Sequence, residues 1–246
     1  MRNLTYVLVI LFLTSCSTKD SSPITNSTSL LSAYIEDRAI EMGAVIACAG
    51  NNSVDTDVVE IYFYPKNNAV NYKLYETNSS EVNPNDFSNY SLVTISDVPF
   101  FNGYLRKFEY SFTFERWFIV SYELDDEIKL SNPIRTKNLT QPTLFSDQID
   151  INQDQSLMPF FSWNVNSEEN NAIFFQVLST TDNSLLSGTY TFENQFQYYK
   201  TENVVLNITN GIPPNLTLGQ EYNFTVMDVS EDNWVNELFI LQFILE

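Results

Sequence analysis

Leu216-Thr217-Leu218-Gly219-Gln220-Glu221-Tyr222-Asn223-Phe224-Thr225-Val226 decides how the rest of the chain is read. A leucine-bearing approach meets a Gly-Gln turn, and a strand begins at Glu221 and runs to Val229. Ser230-Glu231-Asp232-Asn233 then turns the chain, and residues 234–245 return as the second arm of a hairpin.

The same grammar extends outward. Residues 159–165 contain Phe161-Ser162-Trp163, and residues 172–179 read Ala172-Ile173-Phe174-Phe175-Gln176-Val177-Leu178 before a Thr181-Asp182-Asn183 turn. Residues 204–209 form a further strand, closed by Gly211-Ile212-Pro213-Pro214. Upstream, the polar stretch 136–142 reads as a linker, and before it strands recur at 44–49, 58–64, 71–77, 90–96, 104–113, 116–124 and 127–135. In the second of these Val58, Glu60, Tyr62 and Tyr64 alternate with Val59, Ile61 and Phe63. The last two form a hairpin across Leu124-Asp125-Asp126. A short helix is expected within residues 29–42, where Leu31, Ile35, Ala39 and Met42 fall near one face. Seven short strands separated by regular turns, with no long helix, predict a β-sandwich.

Residues 216–226 resemble the fibronectin type III pattern around its tyrosine corner: a Leu, a turn, then a Tyr whose hydroxyl bonds back to the corner backbone. The resemblance gives Tyr222 that role and makes Trp163 the core tryptophan. Residues 59–75 and 117–133 look like a more divergent copy without a visible corner motif. The expected fold class is therefore all-β: two tandem fibronectin type III/immunoglobulin-like β-sandwiches, residues 30–137 and 138–246. Domains of this kind serve mainly as spacers and binding platforms, and fold alone assigns no function.

The N-terminus carries a second resemblance. Met1-Arg2-Asn3 precedes an apolar run, residues 4–13, interrupted only by Thr5. It is too short to cross a bilayer as a helix and fits the apolar core of a signal peptide. Leu13-Thr14-Ser15-Cys16 resembles the bacterial lipoprotein box. The resemblance implies a signal peptide at 1–15, cleavage before Cys16, a diacylglycerol on its sulfur and a fatty acyl chain such as palmitate on its amine. Two or three chains anchor stably where one does not. Residues 16–29 then read as a lipidated cysteine on a Ser/Thr-rich flexible tether with almost nothing to bury. Ser17 and Thr18, not acidic residues, follow the cysteine, so the analogy with enteric sorting points to the outer membrane, at its periplasmic face or the cell surface. Lys19-Asp20 and the Asn-, Tyr- and Phe-rich composition look like lipoproteins of Bacteroidota.

Composition narrows the chemistry. Apolar content of 43% and aromatic content of 15% support a real core. Twelve basic against 31 acidic residues give a formal charge of −19, which repels phosphate backbones and disfavours nucleic acid. The chain has no histidine, which removes Ser-His-Asp and Cys-His sites and His-built zinc sites. With Cys16 lipidated, Cys48 has no intramolecular partner. In the apolar run Ala44-Val45-Ile46-Ala47-Cys48-Ala49 it reads as a small buried hydrophobe. Asp125-Asp126-Glu127, Asp55/Asp57 and Glu231/Asp232 offer loop carboxylates for calcium, but Asp is favoured in turns for local hydrogen bonding, and that reading is preferred. Asp150-Ile151-Asn152-Gln153-Asp154 starts like an EF-hand loop, but Gln155 and Phe161 stand where Gly and Glu are required. No catalytic residue, metal or cofactor is assigned.

Among the aromatics, Phe196, Tyr198 and Tyr199 are the expected ligand surface. The expected function is an envelope-anchored, non-catalytic binding or scaffold lipoprotein with a glycan or protein partner. The alternatives are a structural accessory subunit of an outer-membrane complex and, further off, a carboxylate-based hydrolase.

Overall fold

A strand buried on one face alternates apolar with polar residues, whereas one buried on both faces is apolar at every position. Several central strands here are of the second kind, and the architecture follows from them. The computed structural model describes residues 29–166, 171–200, 203–209 and 211–246. One short helix, α1 (Leu31–Ile35), precedes ten strands: β1 (Ile40–Val45), β2 (Ala47–Asn51), β3 (Val58–Phe63), β4 (Val70–Glu76), β5 (Ser91–Val93), β6 (Val98–Phe100), β7 (Leu105–Ser111), β8 (Trp117–Leu124), β9 (Glu127–Ser131) and β10 (Ile134–Arg135). Then come β11 (Leu144–Ser146), β12 (Ile149–Asn152), β13 (Phe160–Trp163), β14 (Asn171–Thr180), β15 (Leu185–Thr191), β16 (Gln195–Gln197), β17 (Val204–Asn207), β18 (Glu221–Ser230) and β19 (Val235–Ile244).

These strands form four sheets, and the two halves of the chain repeat one connectivity. The first sheet runs β1-β9-β8-β4-β5, with β10 added to β8, and faces β2-β3-β7-β6. The third runs β11-β19-β18-β14-β15-β17 and faces β12-β13-β16. In each half the opening strand lies parallel to the second arm of the late hairpin, β1 on β9 and β11 on β19. The divergent copy read in residues 59–75 and 117–133 thus has the strand order of the second half.

The four sheets stack as successive layers. Phe118, Val120 and Tyr122 of β8 meet Val59, Ile61 and Phe63 of β3 in the first core. Phe174 and Leu178 of β14 and Phe224 and Val226 of β18 meet Phe161, Trp163 and Phe196 in the second. The alternate residues on the same strands do not reach solvent. Tyr62 and Tyr64 of β3 pack against Phe175 and Val177 of β14 and Met227 and Val229 of β18, so a third apolar layer joins the two sandwiches face to face. On the outer side of the first sheet, Leu31 of α1 packs with Ile119, Ile128 and Leu130.

The seam is also hydrogen-bonded. Asn51 and Thr143 exchange bonds: the Asn51 N–H donates to Thr143 Oγ1 at 2.9 Å, and the Thr143 N–H donates to Asn51 Oδ1 at 3.0 Å. Thr143 Oγ1 donates onward to the Val235 carbonyl. A Cβ at Gly50 would sit 3.0 Å from Val235 Cβ, so only glycine allows this approach without a shift. Trp234, at the tip of the β18–β19 hairpin, is fully buried inside the first core, and its indole N–H donates to the Gln141 carbonyl at 2.9 Å.

Three local expectations are corrected. Residues 136–142 are no free linker: Thr136 is fully buried and bonded to Arg116, and Glu115 accepts from the backbone N–H groups of Leu139 and Thr140. Gln141 then reaches Asn236 of β19 at 2.9 Å. The helix ends at Ile35, Asp37 takes a left-handed φ of 57°, and the residues after it form β1, whose Ile40 and Met42 lie beside Ile128 and Leu130. The run 44–49 divides at Ile46 into β1 and β2, which belong to different sheets.

The helix is held down by Glu123 on β8, which accepts from the Tyr34 hydroxyl at 2.6 Å, from Arg38 at 2.9 Å and from Asn71 at 2.9 Å. The Arg38 bond first, then those from Tyr34 and Asn71, lower its carboxyl from 4.5 to about 2. A depressed carboxylate stabilises the fold above its unfolded value and loses that contribution as pH falls from about 4.5 towards 2. Glu123→Gln is expected to cost about 1 kcal/mol at pH 7, given its partial exposure, and almost nothing at pH 2. Hydrogen exchange at residues 31–38 against pH checks this; a difference that does not change with pH contradicts it.

Candidate functional site

The N-terminal assignments, including Cys16, fall within residues 1–28 and lie outside the described residues. The tyrosine corner is present: the Thr217 N–H donates to the Tyr222 hydroxyl at 2.9 Å, and Tyr222 and Leu216 are buried in the second core. Trp163 lies in the same core, against Phe174 and Phe224.

Two of the three residues of the expected aromatic ligand surface are core. Phe196 pairs across β13 and β16 with Phe161, so both rings point inward, and Phe196 is 3% exposed. Tyr198 is fully buried and donates to the Pro214 carbonyl at 2.7 Å. Only Tyr199 is half-exposed, and its hydroxyl is occupied by Asn215 at 2.7 Å. Tyr198 and Tyr199 fasten the loop before β18 to the second core. The acidic loops are likewise local turns. Asp125 and Asp126 take left-handed φ values of 53° and 63° in a two-residue hairpin loop, Asp55 accepts from the Asp57 N–H, and Asp232 pairs with Lys137 at 2.9 Å.

What the structure brings together instead lies in the seam. Towards one side of it is an apolar cavity of about 160 Å3, with Cys48, Tyr62 and Tyr64 on the first sandwich facing Phe175, Tyr190 and Met227 on the second. Burial pushes the Cys48 thiol up to about 12, so it is an uncharged wall group and no nucleophile. Burial also raises Tyr190 above the ordinary tyrosine value, and its ring stacks on Phe175 at 4.5 Å.

A second opening in the seam is polar. Glu60 is 6% exposed and accepts from Tyr62, Lys107 and Asn52, while Phe100, Asn183 and Ile240 complete the walls. Glu60 is thus a fully partnered structural carboxylate.

Sequence reasoning missed the seam. Its signal was the alternation in residues 58–64, where both sets, Tyr62/Tyr64 and Ile61/Phe63, are apolar or aromatic. Such a strand needs a covering layer on each side.

No protein family matches the chain, and no curated relative does. Similar solved structures include the chicken interferon gamma receptor alpha chain, 10% identical with a TM-score of 0.25, over 81% of this chain and 96% of that one. The FN1–FN3 domains of chicken CNTN1 are 11% identical with a TM-score of 0.31, over 85% of this chain and 65% of that one. The glycoside hydrolase domain of Endo-D from Streptococcus pneumoniae is 10% identical with a TM-score of 0.34, over 82% of this chain and 33% of that one. At such values none of them bears on activity.

Proposed function

We propose that this chain is a lipid-anchored, non-catalytic scaffold lipoprotein of the outer membrane of a Bacteroidota-like bacterium, holding a protein partner in the envelope. The anchor reading rests on residues 4–16, where the apolar run and the Leu13-to-Cys16 box coincide. The partner reading rests on one observation, the far end of the third sheet. β11 covers β19 only from Glu237 to Phe239. Beyond it, Ile240 and Ile244 are 44% and 55% exposed, and Phe145, beside Leu238, shares their face at 40% exposed. An uncovered apolar strand end of this kind suits protein association by edge or face. Two of the rings expected to form a glycan platform, Phe196 and Tyr198, are core.

Affinity capture of the full chain from its native envelope, beside a glycan array, tests this. A stoichiometric protein partner lost in Ile240→Asp/Ile244→Asp is expected, with a blank array. A saccharide hit without a partner would overturn it in favour of glycan binding. Cys16→Ala is expected to move the protein out of the detergent phase; unchanged partition removes the anchor.

A further inference from the structure

The seam between the sandwiches is closed tightly at one place and left open at another, although the same two sheets form both. Around Gly50 and Val235 the backbones approach so closely that no Cβ fits without a shift. Around Cys48 the chain uses a small side chain, and the apolar cavity remains. A leucine at that position would take up much of the space. Filling voids is one of the simplest routes to a more stable core.

The wall has a polar feature that the fold does not use. The Tyr190 hydroxyl has no hydrogen-bond partner among the described residues, while its neighbour Tyr64 donates to the Ile208 carbonyl at 3.2 Å. Tyr190 and Cys48 are both half-buried, and both line the cavity. A tyrosine hydroxyl that the fold leaves unbonded is free to bond a ligand. A largely apolar opening at a domain interface, with Tyr190, Asn132 and Asn233 among its lining residues, has the chemistry of a small-ligand site.

We propose that the cavity between the second and third sheets binds a small monocyclic, largely apolar molecule bearing one hydroxyl or carbonyl group, with the ring among Phe175, Tyr62 and Met227 and its oxygen on the Tyr190 hydroxyl. The volume, close to that of engineered cavities that hold benzene, limits the ligand to one ring and a few substituents. Neither Ile240 nor Ile244 lines this cavity.

Met227 supplies a local reporter, since its side chain lines the cavity. In the full chain carrying methyl-labelled methionine, p-cresol and toluene are titrated while the Met227 methyl resonance is followed, with Met42 and Met158 as controls. A saturable ring-current shift confined to Met227 is expected, with a Kd on the order of 0.1–1 mM for a ligand of this size. Tyr190→Phe is expected to weaken p-cresol about fivefold and leave toluene unchanged, because only p-cresol loses a hydrogen bond. Cys48→Leu is expected to abolish both shifts by occupying the space. A Met227 resonance that does not move, or one that drifts in step with Met42 and Met158, overturns the site. Equal weakening of both probes by Tyr190→Phe overturns the role of the hydroxyl, whether or not Cys48→Leu folds.

Discussion

Trp234→Ala is expected to lower the thermal midpoint by about 10 °C, through a loss of about 3–5 kcal/mol. Its indole is fully buried among Ala49, Phe118, Val120 and Ile134, residues of the first sandwich, although its own strand belongs to the second. Truncation leaves a cavity in one domain and removes the hydrogen bond to Gln141 from the other. The backbone around it is part of the same joint: the Ala49 N–H donates to the Asn233 carbonyl, and the Arg135 N–H donates to the Asp232 carbonyl. The two halves are therefore expected to melt together in the native chain and lower together in the variant. Calorimetry decides this, and a midpoint within about 2 °C of the parent would show that the tryptophan does not join the cores.

Val177→Asp is expected to cost about 3–5 kcal/mol, because it places a carboxylate without a cation in an apolar layer. Val177 lies mid-strand on β14, 1% exposed, on the face of the third sheet that meets the second. In two beads joined by a loose linker that face would be wet and the change nearly neutral. The outcome thus separates a stacked pair from a string. Trp163 lies in the second core, Trp117 on the first sandwich and Trp234 in the joint, so fluorescence followed beside circular dichroism reports whether the layers part before either sandwich unfolds. Coincident curves with an unshifted midpoint would refute the seam.

The two sandwiches were legible because their determinants are local. The approach-turn-Tyr222 sequence spans seven residues and produces the corner bond within them. The Asp125-Asp126 turn is carried by two residues that tolerate left-handed φ. The joint was not legible because it is made by residues about 90 apart or more, such as Asn51 with Thr143 and Gln141 with Trp234. Polar character misled at residues 136–142, where Thr136 bonds the Arg116 backbone and Gln141 bonds Asn236 instead of water. Aromatic density misled at Phe196 and Tyr198. Rings near a loop look exposed until the strand register shows which face they take, and pairing with Phe161 turns Phe196 inward. The candidate cavity was indicated only by Cys48, whose smallness reads the same whether it is packed against neighbours or borders a void.

The burial of Trp234 also bears on the order in which this protein can mature. A chain emerging from its N-terminus presents every strand of the first sandwich by Arg135, yet the core of that sandwich waits for a residue about a hundred positions later. Domains usually fold as units in the order they are made. Here the leading half is expected to stay incomplete until the last hairpin arrives. A nascent chain stalled before residue 234 would offer proteases and chaperones an open first core. Damage confined to the final hairpin would therefore be felt at the opposite end of the molecule.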